Sequence, residues 1–507
     1  MTEPDRPACT VDGCTGAQLP SATACLEHVE PREFDRFVGA LGPGAELDLR
    51  GTRIGSDRLA RVLEAVSEGM HVALGALSCA GSQFLGKADF SDLVVEGAAD
   101  FAGSTFQDGG TFRGAHFAGP ADFGNAVFEG DIDFGVVSFA ATASFVASDF
   151  RGTAHFEQVE AAEWLEFDSA RFGGRALFVD VRVQQSLSLR ESRFAGEQAL
   201  EVTTSGLLLT RASFGGFTQV EGTADWVAAE GAHFAGGAVF YLRWTDSEGT
   251  SVSLERMTTD RTVTLAPLSY HPPPQLRSVA GVDASRLVLV DLDLSRCQFE
   301  GAYNLDQLRL EGDNRFAIRG RRRQMLYEEL DPDRRGAIGA ERLATIYRHL
   351  RKAQEDAKNE PGAADFYYGE MEMRRHARST PRGERWILAL YWALSGYGLR
   401  ASRALVALVL LLVLTTAGFA TVGFNAGERT EFRPVGGGAY EQVAVPGGKP
   451  GWGAAVEHSL DSATSLLRTV DAPPLTFSGK VFEVAVRLLG PLLLGLAVLA
   501  VRNRVKR

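Results

Sequence analysis

Along the chain the hydrophobic pattern is first a ladder, then helical stripes, then two long apolar runs. Phenylalanine recurs at Phe101, Phe106, Phe112, Phe117, Phe123, Phe128, Phe134, Phe139, Phe145, Phe150 and Phe156, in steps that alternate five and six. Such steps turn about 140° and about 240° around an α-helix, so no helical face can collect the rings. A flat strand fails as well, because a step of five reverses the face and a step of six keeps it. A chain that turns a corner every five or six residues satisfies the spacing and puts one ring inward per side. The pattern therefore predicts a solenoid in which two sides take eleven residues. The ladder begins near Phe84 and Phe90, weakens after Phe156, and resumes at Phe167, Phe172, Phe178, Val183, Leu189 and Phe194. Phe214, Val220, Phe234 and Phe240 extend it.

Small residues and acids accompany the rings, as in Gly86-Lys87-Ala88-Asp89-Phe90, Ala98-Ala99-Asp100-Phe101 and Gly119-Pro120-Ala121-Asp122-Phe123. These stretches resemble the Phe-centred form of the pentapeptide-repeat family, written roughly A-D-F-x-x. The resemblance implies a mainly β fold, a right-handed quadrilateral β-helix, with the aromatic inside and a small residue at the next inward position; four sides then take about 22 residues per coil, and roughly seven coils at about 4.8 Å per stacked strand make a rod of about 35 Å. Ala88, Ala99 and Ala121 match that small position. The extra residue in every second step departs from the plain five-residue repeat and matches a Phe-rich variant. Leu294 to Ala302, including Cys297 and Phe299, looks like the same chemistry after a break ending in Pro272-Pro273-Pro274.

Other elements flank the ladder. Phe34, Phe37, Val38 and Leu41 have helical spacing, Ala45 to Arg50 alternates like a short strand, and Leu59, Val62, Leu63 and Val66 form a second amphipathic stripe. Together they predict a cap over the first coil, since an open solenoid end exposes its core. Asp331 to Ile338 resembles the start of an EF-hand loop, but Arg335 and Arg342 stand where oxygen ligands are required, so a solvated turn is expected there. Leu343, Ile346, Tyr347, Leu350 and Ala353, then Tyr367, Tyr368 and Met371, predict an αα-hairpin broken at Pro361-Gly362.

The C-terminal part has the composition of a membrane module. Arginines from Arg374 to Arg403 precede an uncharged run from Ala404 to Phe424, long enough to cross a bilayer. Trp386, Leu390, Tyr391, Trp392 and Tyr397 lie among those arginines and suit an interfacial helix at the headgroups. A second span is predicted from Val481 to Val501, with Glu483 and Arg487 spaced as an i,i+4 pair and Arg502, Arg504, Lys506 and Arg507 beyond it. Basic residues flank both spans on one side, which predicts a two-span anchor in the cell membrane with both termini cytoplasmic. Trp452 to Val470 reads as a helix between the spans. Span, loop helix and span resemble the pore module of two-helix potassium channels. That family's filter reads Thr-Val-Gly-Tyr-Gly; here the chain has Thr469-Val470-Asp471-Ala472-Pro473-Pro474, which argues against potassium selectivity.

Charge and cysteine usage add two candidate features. The 507 residues carry a net charge of -12. Residues 80–168 hold fifteen Asp/Glu against three Lys/Arg, so the solenoid accounts for that whole surplus. An acidic face repels nucleic acid and attracts basic partners. Three of the five cysteines lie in the first 25 residues, where Cys9, Cys14, Cys25 and His28 follow Cys-x4-Cys-x10-Cys-x2-His. Three thiolates and an imidazole suit a structural tetrahedral Zn²⁺, with no open position for water chemistry. The polar first residues lack the apolar core of a signal peptide, so this end is expected in the cytoplasm with reduced thiols.

The sequence thus divides into a Cys3His site (1–30), a small α/β cap (31–79), the β-helix (80–244), an irregular stretch with a second repeat block (245–320), an αα-hairpin (321–380), an interfacial helix (381–400) and a two-span module (401–507). No nucleotide loop, Walker loop or nucleophile elbow is present, and a non-enzymatic role is expected. The leading expectation is a membrane-anchored scaffold presenting an acidic β-helix to a cytoplasmic protein partner. The alternatives are a channel-like protein with a cytoplasmic sensing or assembly domain, and, more weakly, a tethered DNA mimic. Membrane lipids and further copies of the chain are the other expected partners, with no direct nucleic-acid binding.

Overall fold

In a computed structural model, residues 7–20, 22–69, 71–243, 250–268, 272–320, 323–435, 439–465 and 474–505 are described. The chain divides into two compact units, one of residues 1–338 with 348–359 and the other of residues 339–347 with 360–507.

The first unit is a parallel β-solenoid. A ten-stranded sheet runs from Arg53–Gly55 through Gln83–Leu85 and Thr105–Phe106 to Thr258–Thr259, one strand per turn. That is about ten turns rather than seven, because the register outlives the aromatic ladder. Phe240 pairs with Leu265, Leu265 with Leu289, and Leu289 with Leu310, so aliphatic residues take over the inward position. The stretch after Pro274 continues the same ladder. At the other end Ala45–Asp48 pairs in parallel with His71–Ser78, so part of the expected cap is itself the first coil. Helices Pro31–Ala40 and Ser56–Ala65 bury Phe34, Phe37, Leu59, Val62 and Leu63.

Inside, the phenylalanines form columns. Phe84, Phe106, Phe128, Phe150, Phe172 and Phe194 stack face to face at centroid spacings of 4.5–4.9 Å, matching the strand spacing of a sheet. Rings of adjacent columns meet edge-on, as Phe112 does with Phe101 and Phe123 at 5.3 Å each. Both geometries suit the aromatic quadrupole. Ala88, Ala99 and Ala121 are buried beside them.

The corners explain the alternating step. In every five-residue step from Phe90 to Phe156 the second residue after the ring is left-handed: Asp92, Gly103, Gly114, Asn125, Val136, Ala147 and Gln158 all have φ between 52° and 76°. At Phe101, Phe112, Phe123 and Phe145 the carbonyl also accepts from the N–H three residues on, at Ser104, Ala115, Ala126 and Ser148. A left-handed third residue with this bond is a tight type II turn. The six-residue steps from Phe117 to Phe123, Phe128 to Phe134, Phe139 to Phe145 and Phe150 to Phe156 use an extra residue and no left-handed corner, whereas the step from Phe106 to Phe112 carries one at Gly109. Short and long corners therefore alternate around each coil. Repeat acids cap these bends: the carboxylates of Asp89, Asp100, Asp122 and Asp133 each accept from the N–H two residues later at 2.7–3.0 Å. Part of the acidic surplus is thus turn chemistry.

Near the C-terminal end of the solenoid, the buried Glu328 carboxylate accepts from the N–H groups of Phe299 (2.5 Å) and Glu300 (3.2 Å). Pro332–Ile338 is helical, not the expected turn, with Asp331 accepting from the Asp333 N–H at 3.0 Å to start it. Helices Ala340–Asp356 and Glu360–His376 form where the αα-hairpin is expected.

Candidate functional site: a Cys3His cluster and a helix held between two apolar spans

The N-terminal segment folds back on itself through an antiparallel bridge between Ala8 and Ala17, with the Cys9 N–H donating to the Gly16 carbonyl at 2.7 Å. Gly13, at φ 78°, turns the chain between the first two cysteines. The His28 and Val29 N–H groups both bond to the Cys25 carbonyl, a one-turn hook that carries His28 back over Cys25. The Ala17 N–H donates to the Arg50 carbonyl at 2.8 Å, tying the knuckle to the first coil.

All four predicted ligands come together, with their donor atoms within 4.8 Å of one another. Cys14 Sγ lies 3.6 Å from Cys25 Sγ, and His28 Nδ1 is 3.4 Å from Cys25 Sγ and 3.7 Å from Cys9 Sγ. A tetrahedron with metal–sulfur bonds of about 2.3 Å has edges of about 3.8 Å, so these three separations fit one small cation. Cys9 and Cys25 are buried, Cys14 is half-buried and His28 is exposed. Burial pushes the Cys9 thiol up, yet hydrogen bonds at the Val11 and Cys25 backbone and the His28 ring outweigh it and bring Cys9 down to about 7. Burial, only partly opposed by the Gly16 N–H, and the neighbouring Cys25 sulfur push Cys14 up to about 11. A dication relieves such crowding of sulfurs by holding them all as thiolates. His28 Nε2 stands 4.0 Å from Glu27 Oε1, the kind of carboxylate that orients a ligating imidazole. Gly16 is required: a Cβ there would come within 2.8 Å of Cys25 Cβ and 2.9 Å of its sulfur. The donor set can hold a metal ion.

The second site lies in the other unit. Ala401–Gly423 and Phe477–Arg502 are long and apolar enough to cross a membrane, and only 11% and 28% of their apolar windows are buried. The first ends in a π-helical turn, Phe419–Gly423, which brings Phe419 against the ring of His458 at 4.8 Å. Phe424 bridges to Leu475, closing the ends of the two helices together.

Between them lies helix Trp452–Thr464, within the expected Trp452 to Val470, of which residues 466–470 lie outside the described residues. Its first turns pack Ala455 with Phe419 and Phe424, at the closed end of the pair. Its last residues reach Gly490, whose Cβ position lies 2.9 Å from the Ala463 carbonyl oxygen. Gly490 is the middle of the second apolar helix. Trp452 is exposed, while His458, Ser459 and Ser462 are buried, and their side-chain polar atoms make no hydrogen bond among the described residues. Arg487 and Glu483 pair at 2.5 Å, as the i,i+4 spacing predicts. The filter-like stretch Thr469 to Pro473 lies outside the described residues. Sequence reasoning found the helix but not how far it runs along the second apolar helix; the signal was the His458-Ser459-x-x-Ser462 stripe beside Ala455 on one face.

Comparison with known proteins supplies the class. Residues 80–127 match the family model for pentapeptide repeats (9 copies), so that stretch of the solenoid is built from pentapeptide repeats. No curated protein and no solved structure matches the chain.

Proposed function

We propose that this is a non-enzymatic membrane protein in which a channel-like two-span module carries a cytoplasmic pentapeptide-repeat solenoid. The observation that carries the reading is helix Trp452–Thr464, which starts at the closed end of the two apolar helices and stops against the midpoint of one of them. A helix that enters the hydrocarbon layer without crossing it is tolerated where protein or a water-filled path surrounds it. Buried His458, Ser459 and Ser462 support such a path, since polar groups at membrane depth face a cavity or the bundle interior. Among the described residues one copy supplies two candidate spans, so a homo-oligomer would complete the enclosure. Arginines at both far ends of the spans, Arg400 with Arg403 and Arg502 with Arg504, support cytoplasmic termini.

Conductance of the reconstituted full chain in planar bilayers, compared with a variant lacking residues 452–474, tests this reading. Current that disappears with the deletion supports it; a flat record from a folded, inserted oligomer overturns it.

A second reading is favoured by the charge of the solenoid: a membrane-anchored scaffold that binds a basic protein partner. Beyond the four turn-capping aspartates, acids such as Glu157, Glu163 and Asp108 are exposed on the same coils. A partner captured by the full chain at low salt and lost at high salt supports it. Under either reading the Cys3His cluster would hold structural zinc, pinning the N-terminal segment to the first coil.

A further inference from the structure

Just ahead of the first span, helix Arg382–Ser395 borders a cleft of about 350 Å³ lined by Arg375, His376, Arg382, Arg385, Trp386 and Ala389. This volume falls in the range of about 300–1,000 Å³ typical of small-ligand sites. We propose that the cleft binds the phosphate of an anionic glycerophospholipid headgroup. The inference rests on the membrane reading above but not on whether the module conducts.

Three observations point there. First, the cleft is cationic and its walls are fixed. Glu372 holds Arg375 at 2.6 Å, and the Trp392 ring lies 4.6 Å from the Arg375 guanidinium. Arg385 Nε donates to the Thr380 carbonyl at 3.1 Å, leaving its terminal nitrogens for a ligand. Between Glu372 and Trp386 the chain carries five arginines against two glutamates, and Glu384 is engaged by Arg374 at 2.6 Å, so positive charge remains. Second, guanidinium forks match phosphate oxygens in pairs, which a lysine's point charge does not. Third, the same helix exposes Trp386, Ile387 and Leu390 on an adjoining stripe. Trp386 belongs to both stripes. A phosphate in the cleft therefore sits at the edge of a surface suited to acyl chains, which selects a lipid over free phosphate.

The test uses the full chain in detergent micelles, titrated with phosphatidylglycerol, phosphatidylcholine or inorganic phosphate and read by native mass spectrometry. Phosphatidylglycerol is expected to bind stoichiometrically and phosphatidylcholine not. At about 1 kcal/mol per cation near an anionic lipid surface, Arg382→Gln with Arg385→Gln should weaken phosphatidylglycerol binding about 30-fold. Arg378→Gln, which removes one exposed arginine of the same run outside the cleft, should change it by less than about two-fold, because its charge reaches the bound headgroup only through screening solvent. Circular dichroism and elution volume check that both variants fold. Equal effects per arginine inside and outside the cleft overturn the site in favour of diffuse attraction. Competition by millimolar phosphate overturns the lipid assignment. Alkaline extraction of the chain from membranes tests the membrane reading separately: a chain that washes off fails that reading, whereas a chain that stays but shows no headgroup preference fails only this inference.

Discussion

Replacing Phe123 by alanine removes a ring that is fully buried at the centre of the aromatic columns. It stacks on Phe101 at 4.9 Å and Phe145 at 4.7 Å, and meets Phe112 and Phe134 edge-on at 5.3 Å each. A buried Phe→Ala change costs about 3–5 kcal/mol through lost transfer energy and the cavity left behind. That is roughly two to four decades in the equilibrium for local opening, at about 1.4 kcal/mol per decade. The solenoid touches only its neighbours along the axis, so the loss should be local. Amide hydrogen exchange of the full chain reads this directly. The Phe101 N–H donates to Asp122 and the Phe123 N–H to Ser144, so protection should fall in peptides covering residues 101–150. Peptides around Phe214 and Phe234, several turns away, should keep theirs. Phe123→Leu, which preserves most of the volume, should cost about 1 kcal/mol. A loss below one decade, or one spread evenly over all turns, refutes the reasoning that each coil is held by its own stacked rings.

The metal cluster predicts one zinc equivalent per chain by metal analysis, lost in Cys25→Ser. Gly16→Ala should weaken metal retention under chelator challenge even though it touches no ligand atom chemically, because its Cβ collides with Cys25. Burial holds the Glu328 carboxyl above the ordinary glutamate range, with backbone hydrogen bonds at Glu328, Phe299 and Glu300 pulling the other way. The folded chain therefore binds that proton more tightly than the unfolded one. Stability from this group is complete below the ordinary value of about 4.3 and falls as pH rises through the raised value. Glu328→Gln should flatten that part of the stability–pH curve, measured by denaturant unfolding of the C-terminal coils. Gly490→Val should push helix Trp452–Thr464 off the second span, seen as faster exchange of residues 455–463 with little change in the solenoid.

The periodicity of the phenylalanines carried the solenoid, because a 5–6 alternation is incompatible with either helix or flat strand. It undercounted the turns, because Leu265, Leu289 and Leu310 fill the inward column without an aromatic to mark it. The corners were not legible at all. Left-handed backbone at Val136 and Ala147 is imposed by the stacked coils on either side, against the local preference of residues with a Cβ. Likewise the acids beside the rings read as surface charge, and only the folded chain shows four of them capping turns.

The four side chains of the Cys3His cluster could be named from spacing, since Cys-x4-Cys-x10-Cys-x2-His places three thiols and an imidazole within twenty residues. Their convergence depended on tertiary contact: the bond from Ala17 to Arg50 and the bare Cα of Gly16 set the knuckle against the first coil. At the other end, composition and periodicity determined two long apolar helices and a helix between them, because runs so poor in charge favour a helix whose surroundings are apolar. Which way the middle helix points was a matter of packing. The bare Cα of Gly490 lets the Ala463 backbone pack against the midpoint of the second apolar helix, a contact between residues 27 positions apart, on the helix that buries His458, Ser459 and Ser462.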